Sequence, residues 1–184
     1  GTRSAYDAIE SLVRKMAAQV NDGPCVTYIG PGGAGHFVKT VHNGIEYGIE
    51  QILAEAYDLM KRSAGMGGIA MADVLAAWNA TEELSSFLVE ITEVCLRTRD
   101  PQDGSDLVEK IVDAAGQKGT GLWTVVSALE MGISVPTIYA ALNARVMSSL
   151  RSERLQAESV LAAPAPVAID LGSPADAMAP LQDA

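Results

Sequence analysis

Between Gly35 and Gly65 apolar residues recur every three or four positions, and at about 100° per residue Phe37, Val38, Val41, Ile45, Ile49 and Ile52 gather on one side of a helix. Lys39, His42, Asn43, Glu46 and Tyr47 project within the opposite arc. The period predicts a helix over 36–63, and further helices over 71–98, 104–115, 121–130 and 135–160, the last with Ser134 as N-cap and Pro136 in its first turn. Ahead of these, residues from Ser4 to Val20 carry helical periodicity. Pro24 then precedes a β-prone run, Cys25-Val26-Thr27-Tyr28-Ile29, that ends at glycines. One helix and one strand cannot make a domain, and the chain opens with Gly1 rather than Met. The expected fold is therefore mainly α: a helical domain with long central helices, preceded by a leftover helix-strand unit of an α/β domain. Residues 1–30 read as that closing unit of a truncated dinucleotide-binding domain, 31–160 as a helical substrate and dimerisation domain, and 161–184, rich in Ala and Pro, as a loop or arm of a domain incomplete at its C-terminus.

The polar arc has two readings. A solvated helix face is the ordinary one, but such faces repeat Glu and Lys, whereas this one holds an amine, an imidazole, an amide, a carboxyl and a phenol. Lys39 and Glu46 lie about 10 Å apart along the axis, a span that brackets a small polyhydroxylated substrate with a proton acceptor at one end and a donor at the other. Gly44 and Gly48 each cost a helix interior about 1 kcal/mol against Ala, and point toward the back of the helix. Close packing on a neighbouring helix accounts for them, making this a core helix with one working face.

Composition narrows the class further. The 184 residues are 48% hydrophobic and 5% aromatic, as in an ordinary soluble domain, and no run reaches bilayer length. Cys25 and Cys95 are too few and too far apart for a disulfide framework or a metal site, and are expected as buried thiols in a reducing, cytoplasmic compartment. A net charge of −10 without a basic stripe argues against nucleic acid. An anionic metabolite then has to be met by a local cluster of Lys and Arg. Trp78 and Trp123 are expected as core or interface anchors, Met60, Met66, Met71, Met131 and Met147 as packing, and His36 as a helix-start residue.

Gly30, Gly32 and Gly35 satisfy G-x-G-x-x-G after a predicted strand. A dinucleotide fingerprint should return to a second strand carrying an acidic residue about twenty positions on, but here the chain continues as helix. The glycines read instead as a joint between an α/β and a helical domain, with the helix N-terminus free to face an anion.

The runs YIGPGGAGHFVKTVHNGIEYG, AGQKGTGLWT and ARVMSSLRSERLQA, in unbroken order from Ala5 to Ala157, resemble the 6-phosphogluconate dehydrogenases, the decarboxylating enzymes of the pentose phosphate pathway. The looser pattern through Gly30, Gly33, Gly35, Lys39 and Asn43 is shared with the wider β-hydroxyacid dehydrogenases; Glu46, Tyr47 and the QKGTG loop select the substrate. The resemblance implies that Lys39 takes the proton from the substrate 3-hydroxyl as hydride leaves for NADP⁺. Burial and cationic neighbours would favour the neutral amine that this requires. It implies that Glu46 helps protonate C1 after CO2 is lost, that His42, Asn43 and Tyr47 bind substrate, and that Lys118, Thr120 and Arg145 hold the sugar phosphate. On sequence alone Lys118 reads first as a solvated loop lysine and Arg145 as one of several surface arginines, while Arg151 and Arg154 are surface groups or partners of Glu153 and Glu158.

The resemblance further implies NADP held mainly by a domain outside this chain, no metal, 6-phosphogluconate as ligand, a homodimer in the full-length enzyme, and no nucleic-acid or membrane partner. The chain alone is then expected to be inactive. It departs from the family pattern at Gly32, at Leu122, and at Ile49 and Glu50, where GIEYGIEQ stands against a usual GIEYGDMQ; none of these is expected to touch the assigned positions. A non-catalytic helical dimerisation or sugar-phosphate-binding module, and a dehydrogenase for another β-hydroxy acid, are the alternatives.

Overall fold

The computed structural model describes residues 1–162. In chain order these form α1 (Arg3–Met16), a hairpin of β1 (Gln19–Val20) and β2 (Gly23–Pro24), α2 (Ala34–Asp58) continued by a π-helical turn (Leu59–Ser63), α3 (Gly68–Asn79), α4 (Phe87–Arg97), a 3-10 turn (Leu107–Lys110), α5 (Thr120–Glu130), α6 (Pro136–Ser149) and α7 (Arg151–Val160). The fold is mainly α, as the periodicity predicts. Gln19 pairs with Pro24 and Val20 with Gly23 in the antiparallel hairpin.

Helix α2 organises the rest. Its first half packs on α5 and α6, and its second half meets the packed pair α3 and α4. The main core lies at that second junction, where Ala56, Met60, Met71, Leu75, Trp78 and Leu96 are buried. Apolar contact on this scale, rather than helix propensity, holds such helices together.

Several boundaries differ from the sequence reading. The run 25–29 forms no strand: Cys25 N donates to Ala18 O at 2.8 Å, then Val26 N turns back onto Pro24 O at 2.8 Å, and the ladder stops there. The predicted helix over 71–98 is two helices. Thr81 Oγ1 donates to Trp78 O (2.8 Å) and accepts from Leu84 N (3.2 Å), Asn79 Oδ1 accepts from Ser86 N (3.0 Å), and Ser86 caps α4 by accepting from Val89 N (3.2 Å). Polar side chains thus satisfy the backbone through the break and let two apolar faces fold onto each other.

Over 104–115 only one 3-10 turn forms, because turn chemistry overrides a short period: Gln102 N donates to Asp100 Oδ1 at 2.7 Å, Ser105 N to Asp103 Oδ1 at 3.0 Å, and Lys110 pairs with both aspartates. The helix over 135–160 breaks at Leu150, where Arg154 donates to Met147 O (3.2 Å), Ser148 O (3.0 Å) and Asp113 O (2.7 Å). Arg154 also pairs with Asp113, rather than with Glu153 or Glu158. Val135 occupies the N-cap position of α6 with no side-chain bond, so Ser134 is not the cap, whereas Pro136 opens the helix as expected.

Burial corrects other expectations. Cys25 and Cys95 are both exposed, one beside the hairpin and one on α4, so neither is a buried thiol. Trp78, Met60, Met66 and Met71 are in the core, Met131 and Met147 face outward instead of packing, and Trp123, of the two readings core or interface, is not in the core. Residues 161–184, read as an arm, lie outside the described residues except for the first two.

Candidate functional site

An unbroken helix from Ala34 to Asp58 gives Lys39 through Glu50 one rigid frame. The two glycines set how close its neighbours come. A Cβ on Gly44 would fall 2.5 Å from Thr124 Oγ1 and 2.7 Å from its Cβ, so α2 and α5 touch there almost backbone to side-chain root. Thr124 is buried, its hydroxyl shared between the carbonyls of Thr40 and Thr120, each at 2.9 Å. Gly121 meets the Tyr47 ring on the same seam, and Gly48 faces Thr137 of α6 with room to spare. The close packing expected of these glycines is present.

That approach delivers the first turn of α5 to the polar arc of α2. Thr120 Oγ1 donates to Asn43 Oδ1 at 2.5 Å, and Asn43 Nδ2 donates to Glu46 Oε2 at 2.6 Å. The same carboxylate oxygen lies 3.5 Å from Lys39 Nζ and 3.6 Å from His42 Nδ1, which are themselves 3.4 Å apart. The Asn43 hydrogen bond, and after it the neighbouring Lys39 and His42, hold the Glu46 carboxyl below the usual carboxylate range against an opposing push from burial. Glu46 is thus ionised at neutral pH.

The arrangement departs from the expected bracket. Lys39 and Glu46 converge into contact instead of standing two turns apart, and the Lys39 side chain is 67% exposed with a carboxylate as its close charged neighbour. The burial and cationic surroundings expected of it are not what it has. Tyr47 is buried and belongs to the α2–α5–α6 packing rather than to the open arc. The opposite apolar arc is largely uncovered within the described residues: Phe37, Val38, Ile45 and Ile52 are exposed, so the first half of α2 is a core helix chiefly along its glycine flank.

A second group sits further along the frame. The Arg145 guanidinium stacks over the Tyr47 ring at 4.4 Å, donates from Nη1 to Gly116 O at 3.0 Å, and forms an ion pair through Nη2 with Glu50. Glu50, read from sequence as a harmless departure, therefore touches an assigned residue. The signal for it was present, since Glu50 lies one turn past Glu46 and about 20° from the direction of Lys39 on the same helix. Lys118 is exposed in the loop before α5 and makes no ion pair among the described residues; Gly119, at φ +112°, carries the backbone from that loop into the helix. The structure thus joins Lys39, His42, Asn43, Glu46 and Thr120 in one connected set, joins Tyr47, Arg145 and Glu50 in another, and leaves Lys118 apart.

The start of α2 has no side-chain cap, a Cβ added at Gly32, Gly33 or Gly35 would meet nothing within 4 Å, and the Gly32 carbonyl accepts from the Gly1 ammonium. Among the described residues no group of His, Cys, Asp and Glu has the clustering to hold a metal ion, and no helix is long and apolar enough to cross a membrane.

Comparison with known proteins adds an independent line. Residues 35–183 match the family described as 6-phosphogluconate dehydrogenase, C-terminal domain. A relative from Synechococcus elongatus, "6-phosphogluconate dehydrogenase, decarboxylating", is 59% identical over 165 residues, covering 89% of this chain and 35% of its own length. A chloroplastic relative from Arabidopsis thaliana, "6-phosphogluconate dehydrogenase, decarboxylating 1", is 51% identical over 161 residues, covering 88% of this chain and 33% of its own. Among solved structures, Plasmodium falciparum 6-phosphogluconate dehydrogenase, described in apo form and in complexes with its cofactor NADP⁺ and its substrate 6-phosphogluconate, superposes with a TM-score of 0.80 at 40% identity, covering 100% of this chain and 38% of that one. The chain spans about a third of the length of the curated relatives it matches.

Proposed function

This chain belongs to the 6-phosphogluconate dehydrogenase family, and we propose that it supplies the substrate-binding helical part of an NADP-dependent oxidative decarboxylase that converts 6-phosphogluconate to ribulose 5-phosphate and CO2. The observation that carries this reading is the connected set on α2. Lys39 and Glu46 share one oxygen-to-nitrogen contact of 3.5 Å, with Asn43 and Thr120 fixing the carboxylate from behind. One proton moved from the amine to the carboxylate across that contact yields a neutral amine, competent to take the C3 hydroxyl proton, and a protonated carboxyl, competent to deliver a proton at C1 once CO2 has left. A substrate carboxylate arriving beside Glu46 disfavours its ionised form and drives the exchange that way. His42 and Asn43 offer hydrogen bonds to substrate hydroxyls on the same arc, and Lys118, Thr120 and Arg145 receive the phosphate.

NADP⁺, when bound, accepts the hydride from C3. The uncapped start of α2 beside the glycine run fits an anionic group of such a molecule. They do not fit a whole dinucleotide, which calls for a parallel sheet that the described residues do not contain. Alone, the chain is therefore expected to be inactive. The full-length protein would act as a homodimer in the cytoplasm on this reading.

The test uses the full-length protein that carries this segment. NADPH formation from 6-phosphogluconate, followed by absorbance together with CO2 release, should vanish in Lys39→Ala. In Glu46→Gln, which removes both the acceptor of the Lys39 proton and the donor at C1, hydride transfer should slow and release of the ketose should slow further. Full turnover in both variants would remove the assignment.

A further inference from the structure

Arg145 is held from three sides, and the three holds are not alike. The Gly116 carbonyl takes Nη1 at 3.0 Å and the Tyr47 ring lies 4.4 Å beneath the guanidinium, so the loop and the buried aromatic fix its position. Glu50 takes Nη2, a charge-bearing edge that an incoming anion would use. The Arg145 side chain is 21% exposed and that of Glu50 is 45% exposed. Glu50 can thus turn into water, giving up a partly screened ion pair while the guanidinium keeps its other two anchors.

We propose that Glu50 is an internal competitor for the ligand's phosphate at Arg145, so that binding of a phosphorylated polyhydroxy acid proceeds by exchange of one carboxylate for one phosphate on the same guanidinium. This rests on the reading of Arg145 as a phosphate contact. The exchange replaces a monoanion by a dianion with oxygens suited to two parallel N–H donors, which favours the ligand. It also spends part of that preference on ejecting Glu50, which lowers affinity for the phosphorylated ligand and leaves affinity for an unphosphorylated acid unchanged. The charge pattern on α2 points the same way. Glu46 already neutralises Lys39 one turn earlier, so with Glu50 in place Lys118 is, among the described residues, the assigned cation without an ion pair.

The experiment measures Kd by calorimetry on the full chain for 6-phosphogluconate and for gluconate, in the wild type, Glu50→Gln, Arg145→Ala and the double variant. Glu50→Gln should bind 6-phosphogluconate about two- to fivefold more tightly, the range of a partly exposed ion pair. Its affinity for gluconate should not move, and the gain should vanish when Arg145 is absent. Equal affinity of wild type and Glu50→Gln for 6-phosphogluconate, absence of binding by both, or an equal gain for gluconate overturns the proposal. An Arg145→Ala variant that binds 6-phosphogluconate as well as the wild type overturns instead the phosphate reading of Arg145.

Discussion

Gly44→Ala and Gly48→Ala add the same methyl group to the same helix one turn apart, and the structure assigns them opposite outcomes. At Gly48 the new Cβ would lie 3.6 Å from Thr137 Cγ2, an ordinary contact, so the substitution should stabilise by up to about 1 kcal/mol through helix propensity. At Gly44 the new Cβ would lie 2.7 Å from Thr124 Cβ, which no side-chain rotation relieves, and 2.5 Å from a hydroxyl bonded to Thr40 and Thr120. The helices must part, at an overpacking penalty of about 1–3 kcal/mol. Propensity cancels between the two variants, so their difference isolates that penalty. Taken as about 2 kcal/mol, it separates their melting temperatures by roughly 4–8 °C in a chain of this size. The assay is thermal unfolding followed by circular dichroism, with wild type between the two. The same parting should lengthen the Thr120–Asn43 hydrogen bond, so Gly44→Ala should also bind 6-phosphogluconate more weakly than Gly48→Ala. Equal melting temperatures for the two variants would refute the claim that backbone approach at Gly44 sets the seam.

Leu75, 1% exposed in the main core, should lose about 2–5 kcal/mol on substitution by Ala, read as a lowered urea midpoint. The Lys110 ammonium, with Ser105 assisting, holds the Asp103 carboxyl down from 3.8 to about 2. A depressed folded value means that this group stabilises the fold fully above about pH 4 and that the contribution is lost as pH falls from 3.8 toward 2. Urea midpoints taken from pH 5 to 2 should therefore fall less steeply in Lys110→Ala than in the wild type; parallel profiles would contradict the assignment.

Helical arithmetic made α2 and its polar arc legible, because 25 residues of one period leave little room for another answer. It did not reveal that Lys39 and Glu46 meet, since side-chain length closes a gap that axial spacing leaves open. Thr120 and Thr124 lie 77 and 84 residues from their partners on α2, and no local pattern announces a contact of that kind; Thr120 entered through family resemblance alone. Glu50 is readable from its position on the wheel, but family resemblance registers it only as a departure and carries no sign of its contact with Arg145. The break at residues 80–86 and the loop over 100–110 were missed for another reason. There Thr81, Ser86, Asp100 and Asp103 bond the backbone directly, and such bonds compete with a helix without disturbing its apolar spacing.

Helix α2 is clamped in two different ways along its length. Around Ala56 and on into Met60 the chain is sunk in the main apolar core. Around Lys39, about 26 Å from Ala56 at 1.5 Å per residue, the helix rests on one seam of threonines and glycines. It behaves as a beam fixed at one end whose working tip is steadied by α5. Damage to the fixed end therefore threatens the main core directly, whereas loosening the seam costs stability chiefly by letting the tip sway, and a ligand that bridges α2 and α5 beside the Asn43–Thr120 bond stiffens a stretch that the core does not reach.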